Sequence, residues 1–329
     1  MARFSFFSKI GITIILCTLI GHTPTTAQLA GSAGGFVRMG FGARGIGMGN
    51  SMVAITDGEI STYYNPALAA FSQDRVASIT ATLLSFDRYL NFLSYTQAIK
   101  PTAGISFGII NSGVRNIDGR DEDGTHTDTY STTENQFFLA FANRVDPHVS
   151  LGVCLKLYYS KLFDKVSSTT VGFDLGGYVQ VTDDLGVGVA FQDLNSKYSW
   201  DTQQLYGSPD GRTTQDQFPN LRKIGAAYTF FRSKLFPAGQ AHISAEYENS
   251  SLHTNIFRAG AEYSLVEGFT LRAGVDRLDG SDASTGAKPS FGFSIKNSFN
   301  GWTPVLHYAY MIEPYATHGI HVITISGAF

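Results

Sequence analysis

Between residues 148 and 160 the chain reads HVSLGVCLKLYYS, with an apolar side chain at every second position. Val149, Leu151, Val153, Leu155, Leu157 and Tyr159 share one face, and Ser150, Gly152, Cys154, Lys156, Tyr158 and Ser160 the other. A period of two is that of a β-strand, whereas a helix at 3.6 residues per turn scatters such a set. The pattern recurs. Val171, Phe173, Leu175, Val179 and Val181 oppose Asp174, Gly176, Tyr178 and Gln180. Leu185, Val187, Val189 and Phe191 oppose Gly186, Gly188, Ala190 and Gln192. Phe269, Leu271, Ala273 and Val275 oppose Thr270, Arg272, Gly274 and Asp276, and Phe291, Phe293 and Ile295 oppose Ser290, Gly292, Ser294 and Lys296.

Extended along the chain, the alternation predicts about fourteen strands. Their spans are 75–86, 88–99, 102–114, 130–144, 148–162, 168–181, 184–193, 221–231, 240–249, 254–265, 268–277, 287–297, 302–312 and 318–329. The first two are the weakest, because RVASITATLLSF alternates poorly. The links give an independent check. Those around KP, VDP, TDD, VEG and NSFNG are short, with RSKLFPAG the exception. The longest are NIDGRDEDGTHTDT, the stretch 194–220, and LDGSDASTGA, and all three come after odd-numbered strands. Short periplasmic turns and long external loops are the asymmetry of outer-membrane barrels.

The N-terminus supplies the compartment. Arg3 and Lys9 precede an apolar run from Ile10 to Ile20, with Thr25-Thr26-Ala27 after it. This is the layout of a secretory signal peptide over residues 1–27, cleaved after Ala27 to leave Gln28 first. The apolar run is about half the ~20 residues that a membrane helix requires, and Leu16 is too bulky to precede a lipidated Cys17. Without Cys17 the mature chain keeps Cys154 alone, so no internal disulfide forms. A net charge of −3 argues against a nucleic-acid partner. Charged residues make up 16% of the chain, against about 25% in soluble domains, beside 25 Phe and 16 Tyr. Together these features predict an all-β fold: a transmembrane antiparallel up-and-down β-barrel over residues 75–329. Its expected location is the outer membrane of a Gram-negative bacterium, with lipid as its surroundings. The C-terminal HGIHVITISGAF alternates and ends in Phe329, which resembles the signal read by the barrel assembly machinery.

Residues 28–74 lack sustained alternation and are rich in Gly, Ala and Met. Within them GFGARGIGMGN fits G-x-G-x-x-G through Gly40, Gly42 and Gly45. A dinucleotide turn needs a strand before it and a helix after it. LAGSAGG is a poor strand, and Asp57-Gly58 soon interrupts MGNSMVAITDG on the other side. The glycines read instead as backbone folded tightly inside a barrel lumen.

The stretch GFVRMGFGARGIGMGNSMVAITDGEISTYYNPALAAF resembles the N-terminal motif of the PorV/PorQ family of outer-membrane proteins, relatives of the FadL-type transporters. Phe36, Arg38, Met39, Gly40, Gly42, Ala43, Arg44, Gly47, Met48 and Gly49 match the first part of that motif, and Asn65, Pro66 and Ala67 the second. Tyr64 stands in place of a Trp and Leu68 in place of a Gly. The resemblance implies a fourteen-stranded barrel whose N-terminal segment folds inward as a hatch, or plug. It also implies service to type IX protein secretion, with secretion components and cargo C-terminal domains as partners. The FadL branch implies the alternative, a channel for hydrophobic small molecules, with an apolar pocket between Phe36, Met39, Phe41, Ile46 and Met48 and the wall.

Candidate chemistry is sparse. The histidines of the mature chain lack the H-E-x-x-H spacing, and no serine sits in G-x-S-x-G. The sequence therefore assigns no catalytic residue, metal ligand or cofactor. Asp121 and Asp123 in DEDGTHTD fall short of a calcium loop and read as a solvated external turn. Lys156, Asp174, Glu246, Arg258, Glu262, Arg272, Asp276 and Lys296 point inward by alternation, and their mixed signs predict a salt-bridged lumen. Arg38 and Arg44 need partners in the hatch, and Asp174, Glu246, Glu262 and Asp276 are the candidates. Trp302, Tyr308, Tyr310 and Tyr315 are expected in interfacial girdles.

Overall fold

Residues 32–58, 61–230, 239–278, 286–299, 301–314 and 316–329 are described in a computed structural model of the protein. The expected leader, its cleavage site, Gln28 and Tyr315 lie outside them.

Among the described residues there are sixteen strands in chain order. They are β1 (Val76–Leu83), β2 (Arg88–Ile99), β3 (Ala103–Arg120), β4 (His126–Asp146), β5 (Val149–Phe163), β6 (Val166–Gln180), β7 (Leu185–Leu194) and β8 (Lys197–Asp201), then β9 (Thr213–Gln217), β10 (Leu221–Phe230), β11 (Ala241–Ser250), β12 (Asn255–Val266), β13 (Phe269–Asp276), β14 (Lys288–Lys296), β15 (Thr303–Met311) and β16 (Ile320–Ala328). Fourteen of them pair antiparallel in sequence order and close into a barrel, with β8 and β9 forming a separate hairpin. Closure runs through β1 and β16, from Val76 opposite Ala328 to Leu83 opposite His321. Each predicted span falls on one barrel strand, including the weakly alternating first two.

Closure leaves no open edge, so every wall strand has hydrogen-bonding partners on both sides. The outward positions are apolar and exposed: Leu151, Val153, Leu155 and Leu157 on β5, Phe137, Leu139 and Phe141 on β4. The inward positions Ser150, Cys154, Lys156, Tyr158 and Ser160 are buried. That is a lipid-facing belt around a filled lumen. Trp302 and Phe299 stack near the end that carries the short turns, with ring centroids 6.4 Å apart.

Two expected loops contain strand. Residues 115–129 mostly extend β3 and β4 into a hairpin beyond the wall, with Ile117 opposite Tyr130 after a register shift at Val114. The run THTDTYSTT is rich in β-branched residues, which favour this continuation. Asp121 Oδ1 accepts from the backbone N–H of Asp123 and Thr125 at its tip, so this carboxylate closes a turn. The stretch 194–220 folds into β8–β9, which lies against β6 through Ser199 N–H donating to Ser168 Oγ at 2.8 Å. Tyr198 and Trp200 are buried there beside exposed Ser199, so this link closes over the lumen.

Candidate functional site

Residues 32–58 and 61–74 fill the barrel. The segment holds a 3-10 turn (Gly35–Arg38), the short helices α1 (Gly42–Gly47) and α2 (Ser61–Tyr64), and a 3-10 helix (Pro66–Phe71). The G-x-G-x-x-G string is thus preceded by a 3-10 turn where a nucleotide fold requires a strand. Gly40, Gly42 and Gly49 have φ of 90°, 70° and 60°, a region open to glycine at little cost. All of Phe41–Ile55 is buried.

The hatch backbone rests on glycines of the wall. A Cβ on Gly260 would meet the carbonyl of Met48, and one on Gly274 would meet the backbone of Gly49. Gly188 faces Val53 in the same way, Gly152 and Gly176 face Asn65–Ala67, and Gly104 faces Ala69. These glycines sit at inward positions of their strands, where a missing side chain admits a second layer of main chain. Asn65 fixes the second half of the hatch. Its Oδ1 caps the 3-10 helix by accepting from Ala67 N–H at 3.0 Å, and its Nδ2 donates to Val53 O and Gly177 O at 2.9 and 3.0 Å. Pro66 comes next at the first helical position, where its lacking N–H costs nothing.

Seven of the eight predicted lumen charges meet in two buried clusters. Beside β10–β13, in two sets of ion pairs, the wall cations Lys223, Arg258 and Arg272 and Arg44 of the hatch face four carboxylates, Glu246, Glu248, Glu262 and Asp276. Arg258 reaches Glu246 and Glu248 at 3.0 Å each and Asp276 at 2.7 Å. This cluster also grips the hatch. Glu246 Oε2 accepts from Met52 and Val53 N–H at 3.2 and 3.1 Å, and Asp276 Oδ2 accepts from Asn50 Nδ2 at 3.1 Å. Arg44 forks onto Glu262, which also accepts from Arg272 Nε. The second cluster joins Lys156 to Asp174 at 2.7 Å and to Asp193 at 2.9 Å.

Several expectations need correction. Lys296, inward by alternation, is exposed at the end of β14 and belongs to neither cluster, because the wall no longer encloses a side chain there. Arg38 does not reach the four candidate carboxylates. Its Nη2 turns back to Ser32 Oγ at 2.8 Å and Ala33 O at 3.0 Å. Arg44 does reach one of them, and its further partner, Asp57, comes from the hatch itself. Asp193, Glu248 and Lys223 were missed. Glu248 and Lys223 carry the ordinary signal, an inward position two residues from another. Asp193 carries the opposite one, since alternation from Phe191 sends it to lipid. In the structure a register shift separates Phe173 opposite Leu194 from Leu175 opposite Phe191, and Asp193 adopts φ 61°. That bulge turns its carboxylate inward.

The apolar hatch residues pack directly against one another and the wall, and the expected pocket among them is filled by side chains. Phe41 meets Tyr63 and Phe92 at ring-centroid distances of 4.5 and 5.2 Å. Phe36, Phe41, Met48 and Leu68 join Phe92, Phe138, Tyr158, Tyr198, Trp200 and Phe218 in one buried cluster, whereas Ile46 joins Ala309, Met311 and Val322 in another. Met39 is half-buried against both. A cavity of about 570 Å³ lies instead at the short-turn end, between residues 54–58, 61–62, 68 and 71–74 of the hatch and the wall. Asp57, His242 and Glu262 bring one ligand atom each within 4.8 Å of one another beside it. Arg44 already supplies the positive charge there, with both Glu262 oxygens engaged, so this group does not fit a resident metal. Phe329 ends the chain exposed, its N–H donating to Arg75 O at 3.0 Å and its ring 6.4 Å from that of Tyr95.

A closed barrel with a lipid-facing apolar belt and a lumen filled by its own N-terminal segment is a transmembrane protein of the Gram-negative outer membrane. Its fold is that of the FadL-type channels. The chain is similar to the toluene transporter TodX of Pseudomonas putida, at 14% identity and TM-score 0.58 over 88% of this chain and 98% of that one. It is similar to the monoaromatic hydrocarbon channel CymD at 14% identity and TM-score 0.61, covering 88% and 97%. A FadL homologue of Pseudomonas aeruginosa matches at 13% identity and TM-score 0.56, covering 88% and 98%. No family model and no curated protein matches the sequence.

Proposed function

We propose that this protein is a hatch-gated outer-membrane channel for hydrophobic small molecules. The observation that carries the reading is the buried apolar cluster threading the lumen. It runs from Trp200 and Phe218 in the long link, through Tyr158, Phe41 and Tyr63, to Ile55 and Leu68 beside the cavity. Such a column offers an apolar molecule a low-cost environment wherever the hatch yields. The fold neighbours include a toluene transporter and a monoaromatic hydrocarbon channel, which supports the same class of ligand. Liposomes carrying the purified protein are expected to take up toluene or a long-chain fatty acid faster than empty liposomes. Uptake no faster than in empty liposomes, with no ligand binding, rejects the reading.

A second reading rests on the sequence of the hatch. Residues 36–68 resemble the PorV/PorQ motif more closely than a general hatch requires, which favours a barrel that docks type IX secretion components and cargo C-terminal domains. The β3–β4 hairpin, polar and exposed over residues 120–129, is a surface suited to a protein partner. Normal release and attachment of such cargo after deletion of the gene excludes this role.

A further inference from the structure

The cavity at the short-turn end has two unlike walls. Its inner wall is Ala54, Ile55, Leu68 and Ala227, which also belong to the buried apolar cluster. Its rim carries the carboxylates Asp57, Asp74, Asp183 and Asp184, and among the described residues no Lys or Arg lines it. Arg44 Nη2 pairs with Asp57 Oδ2 at 3.2 Å, yet the Asp57 side chain remains 57% exposed.

His242 adds an independent feature. It lines the cavity and is only 7% exposed. Its Nδ1 bonds Thr229 Oγ1 at 3.0 Å, which fixes the ring. Its Nε2 stands 4.0 Å from Asp57 Oδ2, beyond hydrogen-bond reach. With Thr229 donating its hydroxyl proton to Nδ1, Nε2 carries the ring proton. With Thr229 accepting, Nε2 is a bare acceptor facing a carboxylate. In that second state the two acceptors suit one donor atom between them. A primary ammonium has three N–H donors. Two bonds of about 2.8 Å at a tetrahedral angle put their acceptors about 4.6 Å apart. The observed gap needs only a modest bend.

We infer that this vestibule binds amphipathic molecules bearing a primary ammonium head, with the head between Asp57 and His242 and the apolar body on Ile55 and Leu68. The inference rests on the channel reading and narrows its ligand class. A carboxylate head meets four like charges at the rim, so the site selects against fatty acids of equal chain length.

The test measures binding of dodecylamine, dodecanol and dodecanoate to the full-length protein in a non-ionic detergent at neutral pH. Dodecylamine is expected to bind about tenfold more tightly than dodecanoate, with the alcohol between them. Asp57→Asn and, separately, the rim variant Asp184→Asn are expected to narrow that preference several-fold while the heat-modifiable mobility of the folded barrel persists. The Asp184 carboxylate accepts from the Tyr228 hydroxyl at 3.4 Å and makes no ion pair among the described residues, so its variant remains informative if loss of the Arg44 contact unsettles Asp57→Asn. Equal binding of amine and carboxylate, or a preference that survives both substitutions, overturns the inference while leaving the channel reading intact. Failure of all three ligands to bind overturns both.

Discussion

Arg44 of the hatch and Glu262 of the wall form a two-pronged pair, with Nε 2.9 Å from Oε2 and Nη2 2.8 Å from Oε1. The two side chains are 6% and 7% exposed. They are 218 positions apart in sequence. The planar guanidinium matches a carboxylate in a way that a lysine ammonium does not. Glu262→Gln leaves Arg44 and Arg272 facing a neutral amide. Breaking a buried pair on one side costs about 3–5 kcal/mol. Protease protection of the hatch is expected to fall while the heat-modifiable mobility of the folded barrel persists. An unchanged cleavage pattern in the variant argues against the clasp.

Gly274 has no room for a side chain against the backbone of Gly49. Gly274→Val is expected to unseat the hatch and raise single-channel conductance in planar bilayers. Gly177 serves as control, because a Cβ there meets only Val189 and Leu151 side chains. Gly177→Ala should conduct like the parent, and matching currents from both variants contradict the seating argument.

Asn65→Ala removes a helix cap and two donors to buried carbonyls. Loss of the cap alone costs about 1 kcal/mol, and each unsatisfied carbonyl adds about 1 kcal/mol or more. Hydrogen exchange is expected to accelerate across residues 61–71 before it does so in the strands. Equal exchange in parent and variant speaks against this role.

Trp200 donates from Nε1 to Asp216 Oδ2 at 2.7 Å and packs against Tyr198 at 5.1 Å. Trp200→Ala should loosen the cover that β8–β9 forms over the lumen. Uptake of a small apolar dye by liposomes carrying the variant should rise severalfold. Uptake equal to the parent's places the barrier deeper, at the hatch.

Phe329 is proposed as the assembly signal. Its removal should lower the yield of folded protein in the outer membrane without changing the melting of the fraction that folds. Undiminished yield removes the proposal.

The sequence by itself determined the wall. Alternation is local, because each residue faces lipid or lumen according to its parity in the strand, so HVSLGVCLKLYYS carries its own assignment. The small inward residues Gly152, Gly176, Gly188 and Gly274 were legible in the same way, though not the backbone that they seat. Tertiary structure decided the rest. Arg44 and Glu262 share no local pattern, and only barrel closure and the path of the hatch bring them together. Asp193 reversed its parity because a bulge opposite Asp174 re-aimed one side chain, where a buried Lys156 repays an inward turn. The link 194–220 became a cover because Tyr198 and Trp200 found an apolar surface that exists only once the hatch and the barrel have come together. Periodicity reports which face a residue takes, and contacts between distant segments report what that face meets.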